Sequence, residues 1–389
     1  MKVVIAAGGR FHALHLAHQL EKKNYLEKLF TFGYTTRDKE YLPAKFVCEH
    51  KQGKLLDSFF LKLKLYKFFN KSNFNVIKDN IFDSWLSKNL KTIKEIDIFV
   101  GWANYFLKSL PEIRKTGAKI IVECGSTHIL EQQRLILEEY EKFGLKSVAL
   151  PKQNIDKVLE EYKQSDYIMT CSNFTYRSFI KHGIRSGKIL KVPYGVNLDF
   201  FTDRFQNFKK NDGKFRVICV GLMCLRKGIP YLIEAWEKLN LPEKESELLL
   251  VGNLQNDLKH VLKKIQLPKN VIFFGSVGRE KLAKLYNQSS VFVLPSIEEG
   301  LSMTIAEAMS CALPVICTNN TGGEELIDDN KHGFIVGIRD IDALIEKILW
   351  CFNNKTDAKK MGLKGQSKIK NFTWDHYGKK IIKTYQSIL

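Results

Sequence analysis

No stretch of the chain approaches the roughly 18 consecutive apolar residues that a membrane-spanning helix requires. A spanning segment is therefore not expected. The first residues, MKVVIAAGGRF, lack the long apolar core and small-residue cleavage site of a secretory signal, and their short apolar run into a Gly-Gly turn reads as a first β-strand. The eight cysteines form no Cys-x-x-Cys pair and several sit inside apolar runs such as VICVG, so free buried thiols in a reducing cytoplasm are expected, not a disulfide framework or a zinc site. Metal-ligand clusters are missing too. His12, His15 and His18 follow one another without a partner cluster, and His15 and His18 read as packing or surface residues. Asp340-Ile-Asp342 stands where it caps the helical run ALIEKIL. No basic, aromatic-rich sheet motif is present, so a nucleic-acid partner is not expected.

What is there points to an ordinary globular chain with an unusual charge. Hydrophobic residues make up 44% and charged residues 26%, which is enough apolar material to fold. At 389 residues the chain exceeds one ordinary core, and about 100 to 200 residues per domain favours two. The net charge is +19, most of it before residue 195. Such a field favours an anionic partner, although a lysine-rich solvated surface gives the same total. Short aliphatic runs (VVIAA, DIFVGW, KIIVE, RVICVG, ELLLVG, VFVLPS, PVICT) alternate with amphipathic stretches such as GIPYLIEAWEKL. That alternation predicts βα units with parallel sheets, and it restarts near Phe215. The boundary is placed between Pro193 and Gly213, giving Rossmann-like α/β domains at 1–195 and 196–370 that face each other across a cleft. Residues 371–389 read as a terminal helix packing back on the first domain.

The most specific segment is SIEEGLSMTIAEAMSCALPVICT, from Ser296 to Thr318. It follows the strand VFVLPS, so Glu299 and Gly300 fall at a strand's carboxyl end, where open α/β sheets bind ligands. Leu301 to Thr304 are expected to form the first turn of a helix whose free N–H groups suit a diphosphate. Glu307, about one turn on, can accept bonds from two vicinal ribose hydroxyls; equally, both glutamates favour the positive end of a helix. In VGLMCLRKGIPYLIEAW, Arg226 and Lys227 stand before the helix-opening Gly228, where two cations are costly unless an anion joins them. Gly322 and Gly323 precede another helical run, and Gly275 to Val277 form a further strand-end turn.

In these residues the chain resembles glycosyltransferase family 4, whose members are retaining enzymes of the GT-B fold. The likeness is strong over residues 215–340 and looser elsewhere; it rests on the Glu-x7-Glu spacing of Glu299 and Glu307, with EAMSCALPV and TGGEELI around it. The resemblance implies transfer of a sugar from a nucleoside-diphosphate sugar to a glycan or lipid-linked acceptor, in polysaccharide or lipopolysaccharide synthesis at the inner face of the membrane. It implies a donor site of Gly9, Arg10, Gly221, Gly275, Ser276, Val277, Gly300, Leu301, Ser302 and Glu307. Lys227, Arg226 and Glu299 would serve the reacting phosphate and sugar. Family members usually carry Arg after the first glycine of that turn, where this chain has Leu222; Arg226 would supply the charge.

In the first half, GGRFHALHLAHQL opens a helix at a glycine pair, and the resemblance places its loop, with His12, at the acceptor side of the cleft. ECGSTHILEQQ sets Gly125, Ser126 and His128 at a strand end; His128 stands either beside the transferring sugar or satisfied by backbone. Glu131, Glu138 and Glu139 are expected to solvate a helix. With no evident carboxylate nucleophile in this domain, front-face attack without a metal or other cofactor is favoured, Lys227 and Arg226 stabilising the leaving phosphate. An epimerase on the same scaffold and a basic lipid-surface or nucleic-acid binder are the competing classes. From Lys54 to Phe74, aromatic and lysine residues interleave, which suits either a packed helix with a lysine edge or reversible contact with an anionic membrane.

Overall fold

The computed structural model describes residues 1–9, 11–50, 71–146, 150–198, 201 and 212–389. Arg10 and nearly all of the lysine- and phenylalanine-rich segment lie outside them. One sheet holds β1 (Val3–Ala7), β2 (Leu26–Thr31), β3 (Val47–Glu49), β4 (Ile98–Trp102), β5 (Lys119–Glu123), β6 (Tyr167–Thr170) and β7 (Ile189–Lys191), in the order β3-β2-β1-β4-β5-β6-β7. A second holds β8 (Phe215–Val220), β9 (Ser246–Val251), β10 (Val271–Gly275), β11 (Val291–Leu294), β12 (Val315–Thr318) and β13 (Gly333–Val336), in the order β10-β9-β8-β11-β12-β13. All pairings in both are parallel. A parallel sheet is covered on both faces, which is why VVIAA of β1 and VFVL of β11 run apolar without alternation and are buried throughout.

In each sheet the strand order reverses beside the first strand, β1 lying between β2 and β4 and β8 between β9 and β11. These reversals open a crevice beyond the strands' carboxyl ends. Residues following β1, β4 and β5 on one side, and Leu301 and Met303 following β11 on the other, line one cleft of about 560 Å³.

The helix Trp374–Gln386 packs along the helix Ala13–Glu21 of the first domain. Gln19 and Lys22 both donate to Asp375, at 3.0 and 2.8 Å, and the Trp374 ring lies 3.9 Å from that of His15 at an angle of 6°. All eight cysteines are free and six are buried.

The helix Ile129–Lys142 corrects one expectation. Glu139 is wholly buried and accepts from the Tyr231 hydroxyl at 2.8 Å and from Arg339 Nε at 2.5 Å, both in the second domain. Glu138 takes a second bond from Arg339 at 3.0 Å. Glu131 is buried under Arg134, Lys181 and His182; burial acts to raise its pKa, but those three donors prevail and bring it down to about 2. Of these three, Glu138 alone keeps a substantially solvated side chain, because Glu139 is covered by the second domain and Glu131 by side chains of its own helix and of Lys181 and His182.

Candidate active site

Gly221 follows the end of β8 at Val220, and the chain turns through Leu225–Lys227 into the helix Ile229–Leu239. Gly228 joins the two with φ 65°, and a Cβ there would stand 1.9 Å from the Pro295 carbonyl oxygen, so only glycine lets this turn sit against the end of β11. Arg226 and Lys227 are thereby pressed onto SIEEG. Arg226 Nη1 donates to the Glu298 carbonyl oxygen and to Glu299 Oε1, each at 2.7 Å, while Lys227 Nζ lies 2.5 Å from the same Oε1. The anion expected beside these cations is supplied by the chain itself. Burial works to raise the Glu299 pKa, but Lys227 and Arg226 outweigh it and hold the carboxyl below the usual range. Leu222, at the position of the departure noted above, is 47% exposed.

Glu298 had not been singled out. It is fully buried and accepts from Thr127 N and Oγ1 at 3.1 and 3.0 Å and from Gln132 Nε2 at 3.2 Å, so it ties the donor-side loop to the first domain. Its place beside Glu299 was the available signal; its partners were not visible in sequence.

The helix after β11 runs Met303–Ser310, two residues later than expected, with Ser302 at its N-cap. At Gly300 the two domains meet backbone to backbone: Ser172 Oγ donates to its carbonyl oxygen at 2.6 Å, and a Cβ would lie 1.9 Å from the Gly125 oxygen. Glu307 stands one turn into the helix and accepts from the Tyr286 hydroxyl at 3.1 Å. Burial raises its pKa to about 7 against the opposing pull of that bond and of Arg279. Gly275 ends β10, two strands from β8, and its carbonyl oxygen accepts from Gly252 N at 2.8 Å; Ser276 beyond it is exposed and Val277 half-buried.

In the first domain Gly9 closes β1 against the Phe11 ring, and His12, Gly125 and Ser126 line the cleft. His12 Nε2 lies 3.1 Å from Glu123 Oε1. Glu123, the last residue of β5, also lines the cleft and is 1% exposed. No evident carboxylate nucleophile was expected in this domain and Glu123 had not been named; its place as the last residue of a strand ending at the cleft was the available signal.

His128 is placed differently from its catalytic expectation. It caps the helix Ile129–Lys142, its Nδ1 accepting from Leu130 N at 3.3 Å, and its ring stacks on His182 at 4.4 Å, lining a separate hollow instead of the cleft. Burial, then the neighbouring His182, lowers its pKa to about 4. The strand end that brings Ser126 to the cleft turns the next helix, and His128 with it, inward. Asp340 caps its helix by accepting from Ala343 N at 2.9 Å. Among the described residues no group of three or more His, Cys, Asp or Glu could hold a metal ion, and no helix is long and apolar enough to cross a membrane.

Two parallel α/β sheets whose switch points face one cleft make this a GT-B fold, as in solved glycosyltransferases that superpose on the whole chain. Over residues 200–368 the sequence matches the family described as glycosyl transferases group 1. A UDP-Gal:alpha-D-GlcNAc-diphosphoundecaprenol alpha-1,3-galactosyltransferase of Escherichia coli is 30% identical over 182 residues, 43% of this chain and 46% of that protein. A capsular polysaccharide biosynthesis glycosyltransferase of Staphylococcus aureus is 26% identical over 220 residues, 53% and 57% of the two chains. The chain thus spans about half the length of such curated relatives. The structure of Anabaena HepE with UDP-glucose aligns over 100% of both chains at TM-score 0.71 and 15% identity.

Proposed function

We propose that this protein is a glycosyltransferase that takes a sugar from a nucleoside diphosphate, held by the second domain, and passes it to an acceptor hydroxyl presented by the first. The observation that carries this reading is the junction of Arg226 and Lys227 with Glu299 at the switch point of the second sheet, beside the N-terminus of the helix Met303–Ser310. When a diphosphate enters, the two cations exchange Glu299 for phosphate oxygens, and Glu299 becomes available to sugar hydroxyls. Charge that grows on the departing phosphate is then met by groups already in place, which is where binding energy lowers a barrier. Glu307 has one carboxylate oxygen on Tyr286 and accepts ribose hydroxyls with the other.

A uridine donor is favoured by the UDP-glucose in HepE and the UDP-galactose of the E. coli relative, and synthesis of a surface polysaccharide by the capsular and lipid-linked roles of the relatives. Retention of configuration follows from the Glu-x7-Glu resemblance. Front-face attack, in which the leaving phosphate oxygen takes the acceptor proton, asks nothing of Glu123 beyond holding His12, and needs no metal. Reversible contact with the inner face of the membrane is the corresponding reading of the lysine-rich segment. The deciding experiment is a thermal-shift screen of nucleotides followed by product analysis by NMR. A ligand at 100 times its dissociation constant stabilises by about 2.7 kcal/mol. Stabilisation by a nucleoside diphosphate and an axial product linkage from an axial donor are expected; no shift with any nucleotide removes the donor site, and an epimerised free donor makes the protein an epimerase.

A further inference from the structure

The hollow lined by His128 has a volume of about 400 Å³ and is separate from the cleft; among the described residues Tyr162 alone lines both, and it is 4% exposed. Leu159 and Ile184 give the hollow apolar walls, and three cations line it, Lys163, Arg185 and Lys188. No carboxylate is among its described lining residues. Lys163 comes from the last turn of the helix Lys152–Gln164, and Lys188 from the turn Ser186–Lys188, with Arg185 just before it. Lys188 is half-buried and donates one proton to the Lys163 carbonyl oxygen at 3.0 Å, which leaves two. Nearby carboxylates are engaged elsewhere. Asp166, whose charge acts on Lys188, accepts from Ile120 N at 2.7 Å; Glu160 stands 3.9 Å from Lys163 at the surface, where such a pair is weak; Glu131 is held by Arg134, Lys181 and His182. No described residue pairs with the Arg185 guanidinium.

His128 adds a donor of fixed direction. It is 2% exposed, and its Nδ1 accepts from Leu130 N, so the proton of the neutral ring sits on Nε2. Burial, then the stacked His182, keeps the ring neutral, its pKa lowered to about 4. No described residue accepts from that Nε2, and the ring lines the hollow. A buried donor without an acceptor is costly, and beside unpaired cations the acceptor that relieves it carries negative charge. Three cations suit a dianion better than a monoanion, and the apolar walls leave room for a carbon body in a volume typical of small-molecule sites. We propose that this hollow binds a small organic phosphomonoester, its phosphoryl oxygens accepting from His128 Nε2, Arg185 and Lys188 and its body against Leu159 and Ile184. The site goes beyond sugar transfer and does not depend on it, since Arg226 and Lys227 take no part.

The test is isothermal titration calorimetry on the full chain with phenyl phosphate, benzoate and benzyl alcohol, each in the presence of excess UDP to occupy the second domain. Phenyl phosphate should bind at least about fivefold more tightly than benzoate, and benzyl alcohol should give no heat. Arg185→Gln and His128→Asn should each weaken phenyl phosphate at least about fivefold, whereas Lys227→Met should leave it unchanged. Asparagine retains a capping oxygen for the helix, circular dichroism checks that both variants fold, and the exposed Arg185 carries the test if His128→Asn does not. Full affinity in Arg185→Gln, benzoate binding as tightly as phenyl phosphate, or no heat from phenyl phosphate overturns the proposal. So does binding lost in Lys227→Met, which puts the phosphate in the cleft. A separate titration with UDP alone that shows no heat sinks the donor reading and leaves this site standing.

Discussion

Replacing Lys227 with methionine keeps the buried hydrocarbon stem and removes one charge. The residue is 7% exposed and its ammonium stands 2.5 Å from Glu299. Stripping a partner from a fully buried pair costs about 3–5 kcal/mol, but Arg226 stays 2.7 Å from the same oxygen, so about half of that, near 2 kcal/mol of stability, is expected. Turnover should fall at least tenfold, about 1.4 kcal/mol, with a smaller change in donor KM, because Lys227 acts on charge that grows as phosphate leaves. The double variant Lys227→Met with Glu299→Gln separates the two effects. With no charge left on either residue, and Arg226 still 3.5 Å from the Glu298 carboxylate, stability should recover to within about 1 kcal/mol of the parent, while turnover stays depressed. Urea unfolding and initial rates with a UDP-sugar read both. If the double variant recovers turnover as well, Lys227 serves only to neutralise Glu299, and its role toward the donor phosphate is refuted.

Glu307, its pKa raised to about 7, must be ionised to accept ribose hydroxyls. Donor KM should therefore fall as pH rises through about 7, and Glu307→Gln should flatten that profile; a flat profile in the parent removes the ribose role. The sign for folding is opposite: the unfolded group ionises near its model value of 4.5, so Glu307 lowers stability as pH climbs from there to about 7, which urea unfolding across pH detects. His128→Ala should cost about 1 kcal/mol of stability through the lost helix cap and leave steady-state kinetics unchanged, in contrast to the catalytic role its strand-end position suggested. In Gly300→Ala the new methyl would stand 1.9 Å from the Gly125 oxygen, with backbone on both sides, so the domains must part. Small-angle scattering should show a larger radius of gyration and the transfer rate should drop at least about tenfold.

Much of the architecture was legible in the chain itself, because local rules suffice for it. Short β-branched and aliphatic runs without alternation, set between longer amphipathic stretches, read as strands covered on both faces, and the helical stretches between them make those strands parallel. The second domain's loops were equally readable: Gly228 has to be glycine for its turn, and Glu299, Gly300 and Glu307 are spaced along one strand end and one helix turn. Tertiary structure alone decided which polar groups meet. Glu139 reads as a solvated helix residue until Tyr231 and Arg339 close over it, and Glu298 reads as a neighbour of Glu299 until Thr127 and Gln132 claim it. His128 and His12 both follow strand ends, yet one turns inward and the other lines the cleft on Glu123. Trp374 reaches that cleft only because the last helix returns to the first domain. Periodicity and turn chemistry act over a few residues, whereas these contacts join segments 50 or more positions apart, as in the 72 between Arg226 and Glu298 and the 200 between Glu139 and Arg339. No local pattern encodes the docking of one domain on another, and that docking sets where the charges of this protein are paired.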